Sequence, residues 1–183
     1  MESGPDPVFD PEPVVAELRR RGIRTVVVGA LVARIRGFAV IETRDLDLVP
    51  DLDPDNLQQL AEALHSLGAT VRVENHAPGP VRLPADGGLI AKAPILNLHV
   101  PGVGDVDVIH QAANPTDQRP ALTYAEMREG ATEERLPGTR LVLAVMSESD
   151  WLHAKETPPV REKDAIHLAV YRQRKASGGN APA

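Results

Sequence analysis

The stretch RDLDLVPD, residues 44–51, places two aspartates inside an otherwise apolar run. Side chains alternate between the two faces of a strand, so Asp45 and Asp47 would share one face while Leu46 and Leu48 share the other. The leucines indicate that this strand belongs to a core, and two like charges then lie side by side at its edge. Two such carboxylates repel each other unless a cation lies between them. The alternative is that both are ordinary surface charges at a strand end, as in most lone Asp-x-Asp pairs.

Segments typical of strands and of helices alternate along the chain, which predicts a mixed α and β fold with a helical C-terminal end. The clearest helix is DPDNLQQLAEALHSLGA, where aspartate caps the start, proline takes the first turn and leucines recur at helical spacing. Other helices are expected at PVVAELRRR, ALVARIRGF, TYAEMREGA, SESDWLHAK and REKDAIHLAVYRQRK. Strands are expected at TVVVG, DLDLVP, TVRVE and TRLVLAV, with ILNLHV and DVDVIH forming a hairpin around PGVG.

The 183 residues suit one domain with a small helical appendage. Residues 1–12 are acidic and proline-rich and are expected to be disordered, whereas residues 13–146 would form the core. Residues 147–175 would be a C-terminal helical segment, followed by a disordered tail over 176–183. Residues 75–94 are rich in glycine and proline, so we interpret them as a loop that could gate a site.

Composition excludes several classes of protein. There are no cysteines, which rules out disulfides, thiolate metal sites and cysteine nucleophiles. No run approaches the ~20 apolar residues of a membrane span, and the N-terminus does not resemble a signal peptide, so a cytoplasmic location is expected. The net charge of −6 argues against broad, non-specific binding of nucleic acid. The six histidines show no metal-ligand spacing and are interpreted as structural or solvent-facing, and the single tryptophan, Trp151, as a core residue.

Two further features bear on the paired aspartates. Gly29 and Ala30 form a tight turn between a strand and a helix, where backbone N–H groups can face a phosphate. In GDVDVI, residues 104–109, Asp107 lies inside an apolar strand, and a third carboxylate there would complete a two-metal site. Turn chemistry explains Asp105, which is next to the hairpin, but it does not explain Asp107.

These segments resemble a known family. VVVGALVARIRGFAVIETRDLDLVPD is similar to the signature of nucleotidyltransferase-fold proteins of the DNA polymerase beta-like superfamily. VGDVDVIH resembles their third-carboxylate strand, and SESDWLHAKETPPVREKDAIHL resembles the C-terminal segment of the minimal bacterial branch. That branch includes the AbiEii and MenT-like toxin-type nucleotidyltransferases of toxin–antitoxin systems. The resemblance covers roughly residues 22–173 and implies an α+β nucleotidyltransferase fold, with a mixed sheet flanked by helices.

The resemblance also implies a mechanism. Asp45, Asp47 and Asp107 would be the catalytic and metal-binding residues, and the cofactor would be Mg²⁺. The enzyme would transfer NMP from an NTP to a hydroxyl acceptor and release pyrophosphate. Asp107 would also help to deprotonate the acceptor. Nucleotide-binding roles fall on a second set of residues: Gly29, Ala30, Arg44, Lys155 and Asp164.

The acceptor and the partners remain open at this point. RNA or tRNA, a protein, or a small hydroxylated molecule could accept the nucleotide, and a cognate antitoxin could be a partner. Ala30 stands where the family has glycine or serine, so a serine hydroxyl is absent from the turn. This departure keeps a second hypothesis open: a catalytically inactive nucleotide-sensing or partner-binding module. A third is a general α/β protein, in which Asp45, Asp47 and Asp107 would fail to converge.

Overall fold

The computed structural model describes residues 9–39, 42–72, 81–110, 122–157 and 160–177. Within these residues the chain forms one eight-stranded sheet and seven helices. The strands are β1 (Thr25–Val28), β2 (Asp45–Pro50), β3 (Thr70–Val71), β4 (Val81–Arg82), β5 (Ile95–Val100), β6 (Gly104–Ile109), β7 (Thr132–Arg135) and β8 (Val142–Val145). The helices are α1 (Glu12–Arg21), α2 (Gly29–Ile35), α3 (Pro54–Ser66), α4 (Gly87–Lys92), α5 (Tyr124–Gly130), α6 (Glu148–Glu156) and α7 (Glu162–Ala176).

The sheet has the strand order β4-β3-β5-β6-β2-β1-β8-β7, and it mixes parallel with antiparallel neighbours. β2 pairs in parallel with β6 and antiparallel with β1, while β5 and β6 form the expected antiparallel hairpin. Parallel strands run in the same direction, so equivalent positions of β2 and β6 lie side by side. The expected mixed α+β class is confirmed, and this central pairing sets up the site described below.

Alternation along β2 and β6 fixes their register. Leu46, Leu48, Val106 and Val108 are fully buried and belong to one hydrophobic core cluster. Burial of each such side chain stabilises the fold by about 1.5–3 kcal/mol. A slip of one residue would turn the aspartates of both strands into that core, so the register is strongly specified.

Several helix ends follow the signals in the sequence. Asp53 caps α3, because its carboxylate accepts hydrogen bonds of 3.1 Å from the backbone N–H groups of both Asp55 and Asn56. Ser147 caps α6 in the same way and accepts from the N–H of Asp150 at 3.0 Å. These caps satisfy donors that every helix start leaves without an intrahelical partner. In the part of the chain described here, no helix is both long and apolar enough to cross a membrane.

The prediction of a loop over residues 75–94 is wrong for the second half of this stretch. Residues 73–80 lie outside the described residues. β4 and α4 occupy this second half. Asp86 caps α4 by accepting from the N–H of Gly88 at 2.8 Å. Gly87 lets α4 approach α3, since a Cβ at this glycine would lie 2.6 Å from the backbone nitrogen of Gln58. The glycine and proline content of this stretch predicted a loop, whereas Gly87 here allows close helix packing.

The two ends of the chain are described only in part. Residues 1–8 lie outside the described part, but Phe9 is buried and the N–H of Asp10 donates to the carbonyl of Val103 at 3.0 Å. The start of the chain is therefore tied to the core at residues 9 and 10, ahead of α1. At the other end α7 extends to Ala176, and residues 178–183 lie outside the described part.

Candidate active site

Three carboxylates converge at the β2–β6 pair. The parallel register sets Asp47 opposite Asp107, and Asp45 lies two residues before Asp47 on the same face of β2. One carboxylate oxygen from each residue lies within 4.8 Å of the others. We call Asp45, Asp47 and Asp107 the acidic triad. Such a group of oxygen ligands could hold a metal ion.

The surroundings of Asp47 disfavour the ionised form of its carboxyl group. Burial, together with the neighbouring charges of Asp45 and Asp107, raises its pKa to about 7. The positive charges of Lys155 and Lys163 oppose this rise only in part. A cation held among the carboxylates would favour their ionised forms, because it would offset the repulsion between their negative charges. The donor set therefore fits a hard divalent cation.

The turn at the start of α2 is shaped around Asp47. Gly29 has φ +73°, and a Cβ there would lie 1.8 Å from Oδ2 of Asp47, so no side chain fits. The indole Nε1–H of Trp151 donates a 3.0 Å hydrogen bond to the carbonyl of Gly29 and holds the turn in place. Trp151 is fully buried, as the sequence predicts, and it also contacts Phe38. Ala30 is buried beside the turn.

Arg72 bridges the edge of the acidic triad, and sequence reasoning missed it. Its guanidinium donates to Oδ2 of Asp105 at 2.5 Å and to Oδ1 of Asp107 at 2.8 Å. Burial raises the pKa of Asp107, and the contact with Arg72 offsets this only partly. The backbone N–H of Arg72 donates to the carbonyl of Asn97. Asn97 lies on β5 and pairs directly with Asp107 on β6. Asp105, explained in the sequence by turn chemistry, is thus paired with Arg72, and Nδ1 of His99 lies 3.1 Å from its Oδ1.

Lys155 and Asp164 form a buried ion pair between α6 and α7. Nζ of Lys155 lies 2.5 Å from Oδ1 of Asp164, and their side chains are 5% and 6% exposed. Burial raises the pKa of Asp164, but hydrogen bonds from Arg161 and Lys155 outweigh it and hold that pKa below its usual value. The positive charge of Lys155 also acts on Asp47, where it lowers the pKa.

A cavity of about 230 Å³ opens beside the acidic triad. Its walls include Ala30, Thr43, Arg44, Asp45, Lys163 and His167. The hydroxyl of Thr43 donates to Oδ1 of Asp45 at 2.8 Å and so fixes that carboxylate at the cavity mouth. Arg44 is exposed at the cavity wall.

Sequence reasoning did not select Lys163 or His167, although both lie in the C-terminal segment that carries the family resemblance. Their spacing of four residues places them on one face of α7. His167 is 1% exposed, so of the two expected roles, structural or solvent-facing, the second does not apply to it. Within the described residues, neither of its ring nitrogens has a hydrogen-bond partner. A spacing argument could have paired the two side chains, but it could not have shown where that face points.

Comparison by sequence finds no relatives: no family model matches the chain, and no curated protein matches it significantly.

Comparison by structure finds nucleotidyltransferases. The lincosamide antibiotic adenylyltransferase LnuA, solved with lincomycin bound, aligns with a TM-score of 0.59 at 13% identity, covering 90% of this chain and 97% of that one. ANT(2″)-Ia, solved with adenylyl-2″-tobramycin, gives 0.52 at 17% identity, covering 92% and 87% of the two chains. A Thermotoga maritima protein described as a nucleotidyltransferase gives 0.50 at 13% identity, covering 91% and 86%. At these identities the likeness shows the fold. The expected nucleotidyltransferase fold is confirmed, and the resemblance to the toxin-type branch stays a prediction.

Proposed function

We propose that this protein is a nucleotidyltransferase, which moves a nucleoside monophosphate from an NTP to a hydroxyl acceptor and releases pyrophosphate. One observation carries the proposal: the acidic triad converges to within 4.8 Å beside the Gly29 turn. The fold shared with LnuA and ANT(2″)-Ia supports it. The convergence also argues against the general α/β hypothesis, which required the three carboxylates to stay apart.

Mg²⁺ is the cofactor that we propose. Asp45, Asp47 and Asp107 would hold it, because carboxylate oxygens are its preferred protein ligands and because their mutual repulsion calls for a cation. When bound, the ion would neutralise charge on the phosphate oxygens of the nucleotide. Thr43 would keep Asp45 oriented for this task through its 2.8 Å hydrogen bond.

The reaction balances with the residues present. The acceptor oxygen forms a bond to the α-phosphorus, the bond from that phosphorus to the bridging oxygen breaks, and pyrophosphate leaves with the electron pair. Asp107 helps to take the proton of the acceptor hydroxyl as the general base. Gly29 and Ala30 offer backbone donors to the phosphates, and Arg44 offers a positive charge at the cavity wall. Lys155 and Asp164 support the site as a buried pair, and the charge of Lys155 acts on Asp47.

The acceptor is proposed as a class. Lincomycin and tobramycin, named with the two aligned enzymes, are hydroxylated small molecules, and this supports an acceptor of the same kind. RNA or tRNA, with a cognate antitoxin as regulator, is the acceptor that the toxin-type resemblance implies. The net charge of −6 is unfavourable for holding RNA, so the small-molecule class is preferred.

A second candidate function is a catalytically inactive nucleotide-sensing or partner-binding module. The contact of Arg72 with Asp107 favours it, because a guanidinium on the third carboxylate competes with a metal ion for the same oxygens. This candidate predicts nucleotide binding without turnover.

Label transfer decides between the two functions. The protein is incubated with Mg²⁺ and each α-labelled NTP, against total RNA in one set and against aminoglycosides and lincosamides in another. Transfer that is lost in Asp47→Asn and kept in Asp55→Asn would support the enzyme and identify its acceptor. Asp55 is an exposed residue of α3 and serves as the charge-matched control. Binding of an NTP without transfer to any acceptor would favour the sensing module, and transfer by Asp47→Asn at the wild-type rate would refute the assignment of the site.

A further inference from the structure

His167 is a buried polar residue that lacks the partners such residues normally have. The residue is 1% exposed, and within the described part of the chain both ring nitrogens are without a hydrogen-bond partner. Most buried polar groups in folded proteins are paired, since an unpaired one carries its full desolvation cost. His167 lies on the wall of the cavity next to the acidic triad, and its ring nitrogens are covered, so a ligand in that cavity can supply the missing partner once the ring turns toward it.

The charge of the cavity wall indicates which kind of ligand this is. Three basic side chains (Arg44, Arg72 and Lys163) and three acidic ones (Glu42, Asp45 and Asp105) line it. A divalent cation on Asp45 would leave the wall positive, which favours an anion. Phosphate oxygens accept hydrogen bonds from both lysine and imidazole N–H groups.

The imidazole is suited to this task in its neutral form. Burial lowers the pKa of His167, and the positive charge of Lys155 lowers it further. Lys163 adds to this effect, while Asp164 opposes it. A neutral imidazole still presents one N–H donor. It can therefore complete a phosphate site beside Lys163 without adding another buried charge.

The position of the cavity indicates which phosphates it takes. Asp45 lines the cavity, and it is the member of the acidic triad nearest the start of β2. A nucleotide with its α-phosphate at the acidic triad would extend its remaining phosphates past Asp45 into this space. The volume of about 230 Å³ is below the ~300–1,000 Å³ of typical ligand pockets, which fits part of a nucleotide better than the whole.

We infer that His167 and Lys163 form the subsite for the β- and γ-phosphates of the nucleotide, with His167 donating a hydrogen bond to a phosphate oxygen. The inference rests on the proposed function and deepens it by assigning two residues of α7 to the leaving pyrophosphate. His167 contacts the phosphates and takes no proton from the acceptor.

Calorimetric titration with sodium tripolyphosphate in the presence of Mg²⁺ tests the inference without any acceptor or turnover. His167→Phe keeps an aromatic ring but loses the donor, and we expect about three- to tenfold weaker binding. His167→Gln restores a donor and should recover part of the affinity. Lys163→Gln should weaken binding to a similar extent. Arg172→Gln removes an equal charge from an exposed position of the same helix and should bind like the wild type.

The stability of the same variants separates a ligand-binding histidine from a structural one. His167→Phe should unfold at the same temperature as the ligand-free wild type or higher, because it removes an unpaired buried polar group. Wild-type affinity in both His167→Phe and Lys163→Gln would overturn the inference. Orthophosphate binding as tight as tripolyphosphate binding, with the same response to His167→Phe, would overturn the assignment to the β- and γ-phosphates.

Failure of this inference and failure of the proposed function give different results. If the wild type binds tripolyphosphate and the α7 variants bind it equally well, only the inference fails. If the wild type does not bind tripolyphosphate, the inference fails as well, and the label-transfer experiment decides the proposed function separately.

Discussion

At the scale of single residues, Asp47 lowers the stability of the fold when it is ionised, at a position where it belongs to the candidate metal site. Its pKa is about 7 in the folded protein and near 3.8 in an unfolded chain, so the folded state binds the proton more tightly. Below about pH 4 the carboxyl is protonated in both states and contributes no pH-dependent difference. As pH rises toward 7 the unfolded chain is favoured, and above 7 the full penalty, up to about 4 kcal/mol, is present.

Asp47→Asn should therefore stabilise the protein in the presence of EDTA, because the amide cannot ionise. The gain in Tm over the wild type should be small near pH 5 and several degrees near pH 8. Thermal melts at the two pH values measure it. Glu129→Gln, which neutralises an exposed carboxylate on α5, should show no such growth. A gain that is equal at both pH values would contradict the raised pKa of Asp47.

Gly29→Ala should disrupt the acidic triad through a steric clash with Asp47, whereas Gly138→Ala, the matched control, makes no such clash. Ala at Gly29 forces its Cβ against Oδ2 of Asp47, at a separation of 1.8 Å before relaxation, whereas Gly138 has φ +80° and open space around it. Both substitutions should lose about 1–3 kcal/mol of stability from the left-handed backbone. Only Gly29→Ala should also weaken Mn²⁺ binding, by tenfold or more, which titration followed by electron paramagnetic resonance can measure. Equal Mn²⁺ affinity in the two variants would show that Gly29 has no role at the acidic triad.

At the scale of elements, the pair Lys155–Asp164 joins α6 to α7 in a buried setting. Removal of one partner leaves an uncompensated buried charge, which typically destabilises a protein by about 3–5 kcal/mol. Lys155→Met and Asp164→Leu should each do so in urea unfolding. The double variant should be less destabilised than the sum of the two, because it leaves no buried charge behind. Additive losses would mean that the two side chains do not interact in solution.

The elements near the site were predictable wherever a local signal existed. β2 and β6 follow from their alternating apolar residues, and α3 and α6 follow from their caps at Asp53 and Ser147. β7 was missed because TEER carries no apolar pattern; it forms by pairing with β8 at the edge of the sheet. α4 was missed because the glycine and proline content of residues 75–94 predicts a loop, whereas Asp86 caps a helix there that Gly87 allows to pack against α3. Pairing with a distant strand and packing against another helix are tertiary effects, which no local window contains.

The same distinction separates the site residues that were predicted from those that were not. Asp45, Asp47 and Asp107 interrupt apolar strands, so their polarity alone raised the question of a role. Arg72 reaches Asp107 across β5, and His167 reaches the cavity through the placement of α7. An arginine or a histidine is unremarkable in sequence. Its function arises from neighbours far apart along the chain.

At the scale of the whole molecule, cation binding and folding should be linked. The acidic triad draws its members from β2 and β6, which meet only in the folded sheet, so an unfolded chain has no equivalent site. A cation that binds only the folded state raises stability by about 2.7 kcal/mol at a hundredfold excess over its Kd. The rise should be larger near pH 8 than near pH 6, because the proton on Asp47 competes with the cation at the lower pH.

Thermal melts in Mg²⁺ and in KCl of equal ionic strength separate this linkage from general screening of charge. We expect Mg²⁺ to raise the Tm of the wild type by several degrees and KCl to leave it nearly unchanged. The double variant Asp45→Asn/Asp107→Asn should lose the Mg²⁺ effect while remaining folded. Arg72→Gln should strengthen the effect, because it frees an oxygen of Asp107 and removes a positive charge from the same site. A weaker Mg²⁺ effect in Arg72→Gln would mean that the guanidinium orders the carboxylates for the ion, so that Arg72 supports the metal site and does not compete with it.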